Sequence, residues 1–136
     1  MRAVFPYELR RSRIYGIVKR PVAKVSFWSQ LVDDWLSYTA IVDTGADYTT
    51  LPKYAMVDLG ISPTKDCVRR TLRGVGGSET VYLMKNPIRI LIGQSEYEIP
   101  IGFLNTNEIP PLLGRENCLN LFILTFRNFT TEISND

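Results

Sequence analysis

Histidine is absent from the 136 residues, and there are only two cysteines, Cys67 and Cys118. Without histidine there is no Ser-His or Cys-His nucleophile pair. Two cysteines far apart in sequence make neither a conventional zinc set nor a disulfide framework. Both thiols read as small buried hydrophobes, which suits a reducing compartment. Long hydrophobic runs are also missing. No stretch approaches the roughly 20 apolar residues of a membrane-spanning helix, and Pro6, Glu8 and Arg10 interrupt the N-terminus where a signal peptide needs a continuous apolar segment. The expectation is a soluble protein, cytoplasmic or otherwise intracellular. No charge of one sign dominates, since 16 Lys and Arg against 14 Asp and Glu leave a net +2. The one basic cluster, Arg10, Arg11, Arg13, Lys19 and Arg20, comes without a helix-turn-helix, aromatic RNA-binding or zinc-finger pattern, so no nucleic-acid partner is expected. Internal repeats, low-complexity tracts and linkers are lacking as well, which leaves one core and one compact unit.

What is present is 45% hydrophobic residues in short runs of Val, Ile, Tyr, Phe and Thr, separated by Gly, Pro, Asn and Asp. That is the pattern of strands, and it predicts a mostly β chain. Candidate strands are Ile14 to Val18, Val22 to Ser29 and Trp35 to Val42, the last two joined by a hairpin loop at Gln30 to Asp34. Val81 to Met84, Ile88 to Ile92 and Tyr97 to Phe103 continue the series, with Gly93-Gln94-Ser95 as a tight turn. Two segments read as helical: Lys53 to Leu59, between Pro52 and Gly60, and Arg115 to Leu121, after Gly114.

The chemistry concentrates in Ala40-Ile41-Val42-Asp43-Thr44-Gly45-Ala46-Asp47. An acid placed directly after a hydrophobic strand is held by the buried strand behind it. The glycine that follows lets the backbone turn sharply and approach a neighbour closely, and the threonine hydroxyl can lock such a turn. Taken alone, Asp-Thr-Gly is also an ordinary polar turn. Gly74-Val75-Gly76-Gly77 is a second glycine-rich segment. It is not a phosphate loop, because it lacks a downstream Gly-Lys-Ser/Thr and opens no helix.

Arg20-Pro21-Val22, Ile41 to Asp47, Gly74 to Gly77 and Leu112-Leu113-Gly114-Arg115 occur in that order from about residue 20 to the C-terminus. In this the chain resembles the retropepsins, the single-domain aspartic peptidases of retroviruses and their cellular relatives. The resemblance implies a closed β-barrel of the acid protease fold with one or two short helices, working as a homodimer on a peptide or protein substrate with no cofactor and no metal. Residues 20–136 would be the peptidase domain, and residues 1–19 an extension available as an interface strand.

By the same resemblance Asp43 is the catalytic acid, its partner being Asp43 of a second copy, with Thr44 and Gly45 in support. Ile41, Gly45, Ala46, Asp47, Tyr48, Ile109 and Leu112, with Thr50, would contact substrate. Gly74 to Gly77 would be the tip of a flap that folds over it, Arg73, Gly74, Val75 and Gly76 would contact substrate as well, and the Val75 N–H would reach the peptide through water. Asp47 would pair with Arg115 of its own chain and with Arg20 of the other. An inactive peptide-binding dimer of the same fold is the alternative. Three features depart from the family: Tyr48 in place of a small or acidic residue, the longer segments at Gln30 to Asp34 and Lys53 to Arg73, and the tail. Phe122 to Phe129 would supply an interface strand, but the chain continues beyond it to Asp136.

Overall fold

The structure is a computed structural model, and it describes residues 1–74 and 76–135. Along the chain the strands are β1 (Arg2–Pro6), β2 (Glu8–Ser12), β3 (Gly16–Arg20), β4 (Val22–Ser29), β5 (Asp34–Val42) and β6 (Thr50–Leu51). Helix α1 (Lys53–Leu59) follows, then β7 (Cys67–Gly74), β8 (Gly77–Met84), β9 (Ile88–Ile92), β10 (Ser95–Ile99), β11 (Gly102–Leu104), β12 (Leu112–Leu113), β13 (Ile123–Arg127) and β14 (Thr130–Ser134).

Nine of these strands form one sheet in the order β10-β9-β4-β5-β12-β6-β11-β8-β7. This sheet is not the closed barrel the resemblance implies. Among the described residues its edge strands β10 and β7, each the outer strand of a hairpin, do not pair with each other. The β4–β5 hairpin carries the clearest alternation: Val25, Phe27 and Ser29 point into the core while Lys24, Ser26 and Trp28 point out. Ser29 is fully buried, and its hydroxyl is satisfied by the Asp58 carbonyl at 2.6 Å.

Helix α1 covers the sheet through Ala55, Met56 and Leu59. It starts after Pro52, whose fixed φ suits a helix entry, and stops where Gly60 takes a left-handed conformation (φ 72°). The core it closes is built from Phe27, Leu51, Ile90, Ile99, Phe103 and Leu113, none of them exposed.

Three element expectations are corrected. The strand expected over Ile14 to Val18 begins only at Gly16, because the Ser12 hydroxyl accepts the N–H groups of Ile14 and Tyr15 and makes them a turn. The single strand expected over Tyr97 to Phe103 breaks into β10 and β11 around Pro100, which has no N–H for a ladder. The helix expected over Arg115 to Leu121 shrinks to one 3-10 turn, Leu119–Leu121. Asn117 there has φ 47°, and the N–H groups of Arg115 and Glu116 bond to the carbonyls of Ala46 and Asp47.

The tail expected as an interface strand forms β13, which pairs within its own chain with β14; β14 pairs in turn with β1. The N-terminal segment is thereby tied to the end of the chain, with Arg2 and Glu132 in a two-pronged ion pair at 2.8 Å and 3.1 Å. Strands β2 and β3 form a separate two-stranded sheet. Among the described residues no helix is long and apolar enough to cross a membrane.

Candidate active site

Asp43 follows the last residue of β5. Its N–H donates to the Leu113 carbonyl at 3.0 Å, and its own carbonyl accepts from the Ala46 N–H at 3.1 Å. Strands β5 and β12 run parallel, with Ile41 opposite Leu112 and Val42 opposite Leu113. The Ile41 N–H donates to the Pro111 carbonyl and the Val42 N–H to the Pro21 carbonyl. Three consecutive backbone groups are thus fixed before the chain turns. The turn itself is closed by the Gly45 N–H donating to Asp43 Oδ1 at 3.0 Å. Asp43 remains half-buried, so one carboxylate edge is held and the other is open.

Cross-strand register decides which side chains share the face of Asp43. One row of paired residues runs Ile41, Leu112, Thr50, Gly102, Leu83, Val68 across six strands. The neighbouring row, Val42, Leu113, Leu51 and Phe103, is buried in the core. Since side chains alternate along a strand, the first row forms the outer face, and Asp43, two residues beyond Ile41, lies on it too. Ile41 and Leu112 are therefore brought beside the acid as expected from sequence. Leu83 and Val68, not anticipated as site residues, extend the same apolar wall. Val68 was masked by the basic residues that follow it, and Leu83, though inside an expected strand, carried no sign of which face it would take.

Thr44 is exposed, and so are Asp47 and Tyr48. Asp47 pairs with Arg115 of the same chain, as expected. At 69% and 45% side-chain exposure, the pair contributes less than about 1 kcal/mol to stability. Arg115 also holds the turn through its own N–H, which donates to the Ala46 carbonyl at 3.0 Å. Arg20 makes no ion pair among the described residues, and its Nε and Nη2 are enclosed without a hydrogen-bond partner. Ile109 sits half-buried on the loop before β12, against Tyr38, Tyr54 and Pro111 in a recess of about 430 Å³. Strands β7 and β8 form the glycine-tipped hairpin, closed by the Gly74–Gly77 pair. Arg73 and Gly76 border its tip. In β7, Arg73 alternates onto the face opposite Val68. Val75 lies outside the described residues.

The residue that sequence reasoning missed altogether is Thr49. It is buried, and its hydroxyl accepts the Gly114 N–H at 3.0 Å while its carbonyl accepts the Gly102 N–H at 3.0 Å. Burial pushes the Cys118 thiol up to about 11, against a smaller opposing influence of Thr49. One residue therefore links the turn after Asp43, the Gly114 turn and β11. Thr49→Val keeps the shape but leaves a buried N–H unpaired, which should cost about 1–3 kcal/mol, whereas Thr49→Ser should cost much less. Urea unfolding of the two variants checks this, and a Val variant as stable as the wild type would mean the hydroxyl is idle.

The family model described as aspartyl protease matches residues 31–116. No curated protein matches the chain. Among solved structures, the fold is similar to a retropepsin-like aspartic protease from Rickettsia conorii. That match has a TM-score of 0.63 and 18% identity, and it covers 97% of this chain and 98% of the other. An acid fixed at the meeting of two parallel strands, within a matched segment spanning more than half of the residues, places the chain in the aspartyl protease family, with a retropepsin-like fold.

Proposed function

We propose that the chain is half of a homodimeric aspartic endopeptidase, whose two Asp43 carboxylates meet across a two-fold axis and activate a water. The observation that carries this reading is the mounting of Asp43. Its backbone is tied to Leu113, one carboxylate oxygen is pinned by the Gly45 N–H, and the side chain lies on an open apolar face. The nearest acid in sequence, Asp47, is engaged by Arg115, which favours a second copy as the source of the second carboxylate.

Two carboxylates that close cannot both ionise cheaply and share one proton. The ionised one takes a proton from the water as it attacks the scissile carbonyl. The protonated one supports the developing oxyanion, and a proton is then passed to the leaving nitrogen. Thr44, exposed beside the acid, would bond to the other subunit. The unpaired Arg20 nitrogens belong to a side chain suited to meeting an acid, and Asp47 of the second copy is the one proposed. Ile41, Leu112 and Leu83 would seat apolar side chains next to the cut, with Gly45, Ala46 and Tyr48 flanking the peptide. The β7–β8 hairpin would close over it as a flap.

A library of unstructured peptides, digested at decreasing protein concentration, tests the shared site. Cleavage per mole should decline on dilution through the dimer dissociation constant, in step with the dimer fraction measured in the same samples. Undiminished specific activity in a demonstrated monomer would overturn the two-copy site. Dimers that bind peptide but cleave none of the library would point to a peptide-binding module on the same fold.

A further inference from the structure

We propose that Arg70, on the cleft-facing side of the hairpin, makes the site select a peptide with an acidic side chain near the cut; this rests on the peptidase reading above. Strand β7 reads Cys-Val-Arg-Arg-Thr-Leu-Arg-Gly, and its arginines look at first like one solvated basic run. Register separates them. Val68 stands in the row that begins with Ile41 and Leu112, so Arg70 and Leu72, two and four residues on, share that face. Arg69 and Arg73 alternate to the other side. The face is confirmed on β8, where Val81 and Leu83 lie against Gly102, at 3.0 Å and 3.2 Å from where a Cβ there would be.

Arg70 is exposed among apolar neighbours. Directly across from it is Val81, which is 2% exposed, and Leu83 lies on one diagonal. Glu79, on the other diagonal, forms no ion pair with it among the described residues. Among the described residues the guanidinium donates only to the neighbouring Arg69 carbonyl, through Nη1 at 3.1 Å, which leaves Nε and Nη2 without a partner there. A planar fork on an apolar wall, without an acid of its own, is built to accept a carboxylate. Glu79 stands opposite Leu72, one step nearer the tip, and disfavours a second acid there. The pattern that fits is an acidic residue under Arg70, with apolar residues against Leu72, Ile41 and Leu112.

The test uses Asp43→Asn protein, which binds without cutting, and dye-labelled peptides carrying Glu, Gln or Lys at each position in turn. At low salt, fluorescence anisotropy should give about threefold to tenfold tighter binding for Glu over Gln at one position. Adding Arg70→Glu should turn that preference toward Lys, while adding Arg69→Glu should leave it in place. Equal binding of the three peptides at every position overturns the proposal. So does the same reversal by Arg69→Glu, or no binding at all. If wild-type protein cleaves none of the peptides while the Arg70-dependent preference for Glu persists, the peptidase reading fails and the acid selection stands.

Discussion

Asp43→Asn should lower peptide cleavage by about 10²- to 10⁴-fold, the range lost when positioned acid–base chemistry is removed, while leaving the fold unchanged. The two halves of that expectation come from different parts of the same side chain. Asn keeps an oxygen where Asp43 Oδ1 accepts the Gly45 N–H, and the backbone bond to Leu113 does not involve the side chain. The turn is therefore preserved. An amide cannot give or take the proton that the attack on the carbonyl requires, so the chemistry is not. Mixing the two proteins sharpens the result. With excess Asp43→Asn chain, wild-type subunits are drawn into mixed dimers with one carboxylate, and activity should fall well below that of the wild type alone. Activity that simply tracks the amount of wild-type chain added, with exchange of subunits demonstrated, would sink the idea that both acids act together.

The largest stability effect is expected at Gly114. A Cβ there would lie 2.3 Å from both the carbonyl carbon and oxygen of Tyr48 and 2.8 Å from its nitrogen. These are backbone atoms, so no rotamer change relieves the clash, and the Tyr48 segment is itself held by the Thr49 contacts. Gly114→Ala should cost about 3 kcal/mol, and the melting temperature should drop by roughly 10 °C. The movement that accommodates the methyl pushes the Gly114 turn away from Thr49 and carries Leu113, which holds the Asp43 N–H. Cleavage should therefore suffer even below the new melting temperature. A variant with wild-type melting behaviour would mean that the two turns are not packed as described.

The parts of this molecule legible in the sequence are those whose cause is local. Helix α1 was marked at both ends by Pro52 and Gly60, and β4 by eight residues of alternation between Pro21 and Gln30. Asp43 was legible because strand, acid, hydroxyl and glycine are consecutive. What stayed hidden depends on distant partners. Strand β7 shows little apolar periodicity, since its arginines mask the alternation that β8 completes. The β1 segment looks like five unremarkable residues until β14, which neither pattern nor composition marked, pairs with it. Thr49 is one of two adjacent threonines, and nothing in the string tells which hydroxyl meets the Gly114 N–H. Closure of the barrel was inferred from family likeness, and the open edges of β10 and β7 are settled only by the sheet order.

The β1–β14 pairing also sets a schedule. Arg2 faces Ser134, and Pro6 faces Thr130. During synthesis β1 must therefore wait, unpaired, until β14 has been made and has left the ribosome. Contacts of such long separation are slow to form. Until they do, Ile133, fully buried in the finished molecule, lacks the β1 side of its packing, where it stands opposite Ala3. The newly made chain would pass through a stage in which β13 and β14 have formed their hairpin while the β1 edge is still open, so the pairing of β1 with β14 is what completes this small sheet.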